Sequence, residues 1–287
     1  MLSIIIPSKT ERFLDNTIKD VLEKATGDIE VFAILDGYLV DKIEDPRLKY
    51  IVLPKSRAAQ KRQGINLAVE QAKGEYIMAL DAHCMMAKGF DEQLIKDHQP
   101  DWVQIPRRHR LDAENWCLQK QSDNRPPIDY ETVMYPGKFD PLAFHGFKWN
   151  ERTKERWDIP IDETMTMQAS CWFMTKEWYQ KNNFMDVKYQ GWGQEAEEIC
   201  FTTWLRGGKV MTNKNTWYAH LHKGKKYGRM YFMSREENRK SYRYSFDFWM
   251  NNRLENRVHD FDWLIEKFNP PGWNKNWKEE LGYNKNK

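Results

Sequence analysis

The first apolar run, Ile4-Ile5-Ile6, is short, continuous and closed by Pro7, which is the pattern of a buried strand. A helical period follows from about Asn16 to Lys24, with Ile18, Val21 and Leu22 on one face. Glu30 to Leu35 predicts a second strand ending at the turn pair Asp36-Gly37, and Tyr50 to Leu53 a third closed by Pro54. A helix is expected from about Ala58 to Ala72, stopped at Lys73-Gly74, and Tyr76 to Leu80 is a fourth strand running into Asp81. This alternation predicts an α/β fold with a Rossmann-like, mostly parallel sheet and helices on both faces. Such sheets bind ligands beyond the carboxyl ends of their strands, which directs attention to Ser8, Glu11, Asp36, Asp81 and His83. From about Asn124 to Asp162 the period fades into polar, Pro-containing loops with short elements. Order returns at Cys171 to Met174, in a helix from Lys176, and in a helix from Glu195 to Leu205 that Gly207-Gly208 ends.

Composition removes several classes. The 287 residues carry 13 Trp, 13 Tyr and 14 Phe, more ring surface than a disordered chain holds. No apolar run approaches the ~20 residues of a membrane span. Met1-Leu2-Ser3 enters the first strand without a basic leader, so the expectation is a soluble, cytoplasmic protein. Four widely spaced cysteines, Cys84, Cys117, Cys171 and Cys200, form no CxxC pair and are expected as free thiols. The net charge of +3 is uneven, because Lys214 to Arg257 holds eleven Lys/Arg against four Asp/Glu, with ten aromatic residues interleaved. That segment fits either a surface for a nucleic acid, a phosphorylated donor or a carbohydrate, or a solvated helix whose rings pack inward.

Three constellations carry chemistry. Asp81-Ala82-His83 leaves a strand with a carboxylate and an imidazole at alternate positions, a donor pair for Mn²⁺ or another first-row divalent ion, or a turn Asp beside a surface His. Gly191-Trp192-Gly193-Gln194-Glu195-Ala196-Glu197-Glu198 sets a tryptophan between glycines before a helix start rich in carboxylates. The carboxylates suit the helix dipole, and equally a sugar platform in which Trp192 covers a pyranose face, Glu195 hydrogen-bonds its hydroxyls or takes a proton and Glu198 supports the site. Ala219-His220-Leu221-His222-Lys223 offers two histidines on one strand face, both ligands or one ligand and one supporting partner, with Lys223, Lys225 and Lys226 where a diphosphate would lie.

Taken together these residues resemble the nucleotide-sugar glycosyltransferases of the type A fold (GT-A), family 2-like and nearest in motif to the polypeptide N-acetylgalactosaminyltransferases. Ser3 to Ser8 resembles their opening strand, and Lys73 to Cys84 the strand delivering their Asp-x-His motif. Trp192 to Phe201 follows their Trp-Gly-Gly-Glu-Asn-x-Glu-Ile-Ser-Phe spacing without a gap, and Ala219 to Lys223 is similar to their Gly-His-Val-Phe-Arg segment. The departures are Gln194 for a glycine, Ser170-Cys171-Trp172 for a Gly-Gly-Leu stretch, and His222. The resemblance implies a hexosyl- or N-acetylhexosaminyltransferase using a nucleotide sugar, with a uridine-linked donor expected, and a metal, Mn²⁺ or another divalent ion, held by Asp81, His83 and His220. It implies Glu195 and Glu198 as catalytic carboxylates, and Ser8, Glu11, Asp36, Arg62, Lys223, Trp192 and Gly193 as donor-binding groups. It implies a GT-A domain at 1–223, with a nucleotide-binding half at 1–106 and an acceptor-side half at 107–223, and a basic, aromatic helical extension at 224–287. The acceptor expected is a saccharide or protein hydroxyl, retention is favoured over inversion, and a hydroxymethylated nucleic-acid base or a non-enzymatic nucleic-acid-binding role are the alternatives. The membrane anchor and lectin domain common in those enzymes are not read in this sequence.

Overall fold

Ile4, Ile5 and Ile6 are fully buried at the centre of the sheet, which is why an uninterrupted apolar run was needed there. The computed structural model describes residues 1–119, 126–137, 143–191, 193–229 and 231–285. The N-terminal half contains β1 (Leu2–Ser8), α1 (Leu14–Lys24), β2 (Ile29–Asp36), β3 (Leu48–Leu53), α2 (Lys61–Gln71), β4 (Tyr76–Leu80), β5 (Cys84–Met86), α3 (Phe90–Lys96), β6 (Trp102–Asp112) and β7 (Cys117–Leu118). It is followed by β8 (Glu131–Val133), β9 (Gly146–Lys148), α4 (Asn150–Glu155), β10 (Ile161–Glu163), β11 (Cys171–Thr175), α5 (Lys176–Asn182), α6 (Glu195–Leu205) and β12 (Lys209–His220). The last helices are α7 (Gly224–Tyr227), α8 (Arg235–Met250), α9 (Phe261–Phe268) and α10 (Trp277–Glu280).

The main sheet runs β3-β2-β1-β4-β11-β6-β12-β10. β1 pairs in parallel with both β2 and β4, so the chain reverses direction of travel across the sheet between them. A crevice opens at that point, beyond Ser8 and Leu80. β11 is antiparallel to both β4 and β6, so the sheet is mixed on its C-terminal side. β2 is buried at all eight positions, as a strand covered on both faces must be.

The helix expected from Ala58 begins only at Lys61. The three preceding residues stay outside the helix, where the Gln60 backbone N–H donates to Asp36 Oδ2 at 2.7 Å and its amide to Asp36 Oδ1 at 2.8 Å. α2 then lies close on β2: a Cβ on Gly64 would stand 2.7 Å from Ile34 Cγ2, a distance only glycine avoids. The sheet and the C-terminal helices share one hydrophobic core that runs from Ile4 through Phe201 to Trp249, Phe261 and Trp277. Phe201 meets Trp249 and Phe261 edge-on, with centroids 5.3 and 5.2 Å apart. No helix among the described residues is long and apolar enough to cross a membrane. All four cysteines are free.

Candidate active site

A cavity of about 1000 Å³ opens at the crevice and is lined by residues from the ends of β1, β2 and β4, the start of α2, the start of α6 and the end of β12. Asp81, just past β4, and His220, the last residue of β12, come together with His83. One oxygen or nitrogen from each lies within 4.8 Å of the others. The Nε2 atoms of His83 and His220 are 3.1 Å apart, and His220 Nε2 is 3.6 Å from Asp81 Oδ2. These residues are 137 apart in sequence, joined because β5 pairs with β12 and sets His220 opposite Cys84.

The protonation pattern is that of a ligand set. Burial lowers His220 to about 4, against the opposing pull of Asp81, so the imidazole is neutral at pH 7. Burial alone would raise Asp81, but Lys61 and both histidines outweigh it and hold the carboxylate well below its usual range. His83 turns Nδ1 toward Glu11 Oε2 at 3.4 Å and Nε2 toward His220. A neutral His220 imidazole, an ionised Asp81 carboxylate and the His83 ring within this span fit a first-row divalent cation. His222 lines the cavity with its ring 6.1 Å from that of His220, and it is not part of the cluster.

The other expected residues fall into two groups. Glu11, Asp36, Ser8, Lys223, Gly193 and Glu195 all line the cavity. Lys223 Nζ donates to both Glu11 oxygens at 2.5 and 2.6 Å, and despite burial Glu11 is lowered by His83 and Lys223. Asp36 also accepts from Lys9 Nζ at 3.0 Å, and Ser8 is hydrogen-bonded to the Tyr38 hydroxyl. Arg62 and Glu198 behave differently: they form a buried ion pair, and Glu198 Oε1 also accepts the Asp186 backbone N–H at 2.8 Å. Burial raises Glu198 while Arg62 opposes the rise. Glu198 thus stands behind the wall, bracing α6 against α2, and Arg62 reaches the cavity with its charge already matched. Trp192 lies outside the described residues.

Lys61 is a site residue that sequence reasoning missed. Its Nζ lies 3.1 Å from Asp81 Oδ1 and 2.8 Å from Glu195 Oε2, tying the carboxylate at the end of β4 to the helix carboxylate. Burial would lower it, but the two acids outweigh that and raise it. A lysine as the first residue of a helix opposes the helix dipole, and that mismatch was the available signal. Glu131 and Glu197, also on the cavity wall, gave no such signal, because their proximity depends on the long connection between β8 and α6.

This fold is that of a glycosyltransferase, and the comparisons with known proteins agree. The family model for glycosyl transferase family 2 matches residues 3–181, and the chain belongs to that family. It is similar to the putative polypeptide N-acetylgalactosaminyltransferase 13 of Drosophila melanogaster, 27% identical over 163 residues, which are 53% of this chain and 26% of that one. It is also similar to polypeptide N-acetylgalactosaminyltransferase 5 of Caenorhabditis elegans, 26% identical over 225 residues, 72% of this chain and 35% of that one. The chain therefore spans about a quarter to a third of the length of these curated relatives. Among solved structures it resembles GalNAc-T7 with UDP, GalNAc and Mn²⁺, with a TM-score of 0.68, 17% identity and coverage of 99% of this chain and 56% of that one. S. aureus TarS 1–349 in complex with UDP-GlcNAc follows at a TM-score of 0.57, 14% identity and coverage of 93% and 71%. The architecture is the GT-A fold.

Proposed function

We propose that this protein transfers a hexose or N-acetylhexosamine from a UDP-linked donor to an acceptor hydroxyl, with a divalent cation bound by Asp81, His83 and His220. The observation that carries the reading is the convergence of these three side chains, from two distant strand ends, on one point of a cavity whose wall also holds Glu195. Mn²⁺ suits this mixed oxygen and nitrogen set, and when bound it would supply Lewis-acid stabilisation of the diphosphate charge. The relatives' names and the UDP complexes of the structural neighbours support the donor class.

In this reading Asp36 and Ser8 receive the nucleoside end of the donor, beyond β1 and β2. Lys223 faces the diphosphate, and Glu11 holds both its ammonium and the His83 ring in place. Gly193 lets the chain approach the sugar. The anomeric carbon exchanges its bond to the diphosphate oxygen for one to the acceptor oxygen. Glu195 is held by Lys61, so we assign it to binding and orienting the sugar, and the departing phosphate oxygen takes the acceptor proton. That assignment goes with retention of the anomeric configuration. Arg62 and Glu198 support α6 and α2 as a paired unit.

The acceptor in this reading is a saccharide or protein hydroxyl. The test is a transfer assay with UDP-hexoses and UDP-N-acetylhexosamines against glycan and peptide pools, with Mn²⁺ or with chelator, and product configuration by NMR. Metal-dependent transfer with retention is expected. Transfer at full rate under chelator would overturn the metal site, and an inverted product would make Glu195 the base.

A further inference from the structure

The two carboxylate oxygens of Asp81 face different partners. Oδ2 is 3.6 Å from His220 Nε2, inside the cluster with His83, whereas Oδ1 accepts from Lys61 Nζ at 3.1 Å. Lys61 is itself pinned, because its ammonium has three protons and three acceptors surround it: Asp81 Oδ1, Glu195 Oε2 at 2.8 Å and the Ala169 carbonyl at 3.4 Å. The backbone on either side of the carboxylate is fixed as well. The Asp81 N–H donates to the Ser170 carbonyl at 2.8 Å, and the Asp81 carbonyl accepts the His83 N–H at 2.8 Å. Lys61 opens α2, which Gly64 seats directly on β2, so neither end of the Lys61–Asp81 contact is carried on a free loop. Turning both Asp81 oxygens toward the cluster would cost this contact and leave the ammonium short of one partner.

We propose that Lys61 is a positioning residue that restricts Asp81 to a single metal-facing oxygen, and that it thereby selects a small divalent ion such as Mn²⁺ over Ca²⁺. The inference rests on the metal reading proposed above and concerns which ion that site accepts. With Oδ1 engaged, the cluster offers one oxygen and two imidazole nitrogens. Mn²⁺ accepts such a mixed, sparse set, with the remaining positions open to water and diphosphate oxygens. Ca²⁺ takes about six to eight oxygen ligands and commonly draws on both oxygens of a carboxylate, which this corner withholds. The Lys61 charge also repels any divalent cation, but Mn²⁺ and Ca²⁺ carry the same charge and feel that repulsion alike. Absolute affinity therefore reports the charge, and the ratio of the two affinities reports the positioning.

The experiment uses the full chain as wild type, as Lys61→Met, which keeps the length and removes the ammonium, and as Glu195→Gln, which alters charge beside Lys61 but leaves its contact with Asp81. Mn²⁺ binding is followed by the EPR signal of the free ion, with Ca²⁺ as competitor, with and without UDP, and a thermal melt confirms folding. Wild type is expected to bind Mn²⁺ at least about tenfold more tightly than Ca²⁺. In Lys61→Met both ions bind more tightly, and Ca²⁺ gains at least about threefold more than Mn²⁺, so the preference narrows. Glu195→Gln keeps the wild-type ratio. An unchanged ratio in Lys61→Met, an equal shift in Glu195→Gln, or no preference in wild type would overturn the proposal. A crystal structure of wild type with Mn²⁺ reads the same point without a variant: one Asp81 oxygen on the ion and the other on Lys61 supports it, and both on the ion overturns it. Absence of divalent binding to wild type, with and without UDP, would overturn the metal reading itself and this proposal with it.

Discussion

Glu11 joins two parts of the site at the scale of single residues, since one carboxylate faces the His83 ring and both its oxygens receive Lys223. Partners that orient a ligand imidazole typically contribute 10- to 100-fold in metal affinity. Glu11→Gln is therefore expected to weaken Mn²⁺ binding by about that factor without unfolding the protein, as read by metal titration beside a thermal melt. Glu197 makes a different prediction, in stability. Its pKa is raised by burial from 4.5 to about 7, so the folded state holds this proton more tightly than the unfolded chain does. The stability it contributes is fully present below about pH 4.5 and is lost as pH rises through 7. The loss is on the order of 3 kcal/mol at about 1.4 kcal/mol per pH unit. Denaturant midpoints from pH 4.5 to 8 should decline more steeply in wild type than in Glu197→Gln, and parallel declines would refute the assignment.

The elements that carry the site depend on close packing more than on surface pairs. α2 presents Lys61 and Arg62 only because Gly64 lets it lie against Ile34 and Leu53. Gly64→Ala forces a methyl group to within 2.7 Å of Ile34 Cγ2 and is expected to destabilise by about 1 to 3 kcal/mol, measured as a lower urea midpoint. The same elements show what was legible from sequence. β1, β2, β4 and α6 announce themselves through apolar runs punctuated by Pro7, Asp36-Gly37, Asp81 and Gly207-Gly208. The clustering of Asp81, His83 and His220 was legible because each ends or follows a strand. β6 was not, because its core positions are broken by Pro106 and by Arg107, Arg108 and His109, whose side chains serve long-range partners such as Asp129 and Glu131. The pairing of Arg62 with Glu198, 136 residues away, has no local pattern to betray it.

Across the whole molecule, the basic and aromatic segment from Lys214 to Arg257 is largely absorbed by the fold. Lys223 pairs with Glu11, Lys226 with Glu114, Lys240 with Glu236 and Arg253 with Asp247, while Tyr218, Tyr242 and Trp249 are buried. Two of those pairs lie on α8 or at its end, where exposed ion pairs stabilise only weakly. On α8 the rings of Tyr242 and Trp249 pack inward, while Lys223, Arg229 and Tyr231 line the cavity, and nothing in the family or structural likeness supports a nucleic-acid acceptor. What the fold concentrates at the crevice is the cluster of Asp81, His83 and His220, with Asp36 at the end of β2 and the carboxylates Glu131 and Glu197, all on one cavity. The most direct test is calorimetric titration of UDP into wild type with Mn²⁺, into wild type with chelator, and into His220→Ala with Mn²⁺. The account predicts binding that requires the metal, falling at least about tenfold both under chelator and in His220→Ala while the thermal melt stays cooperative. Equal UDP affinity under all three conditions would contradict it.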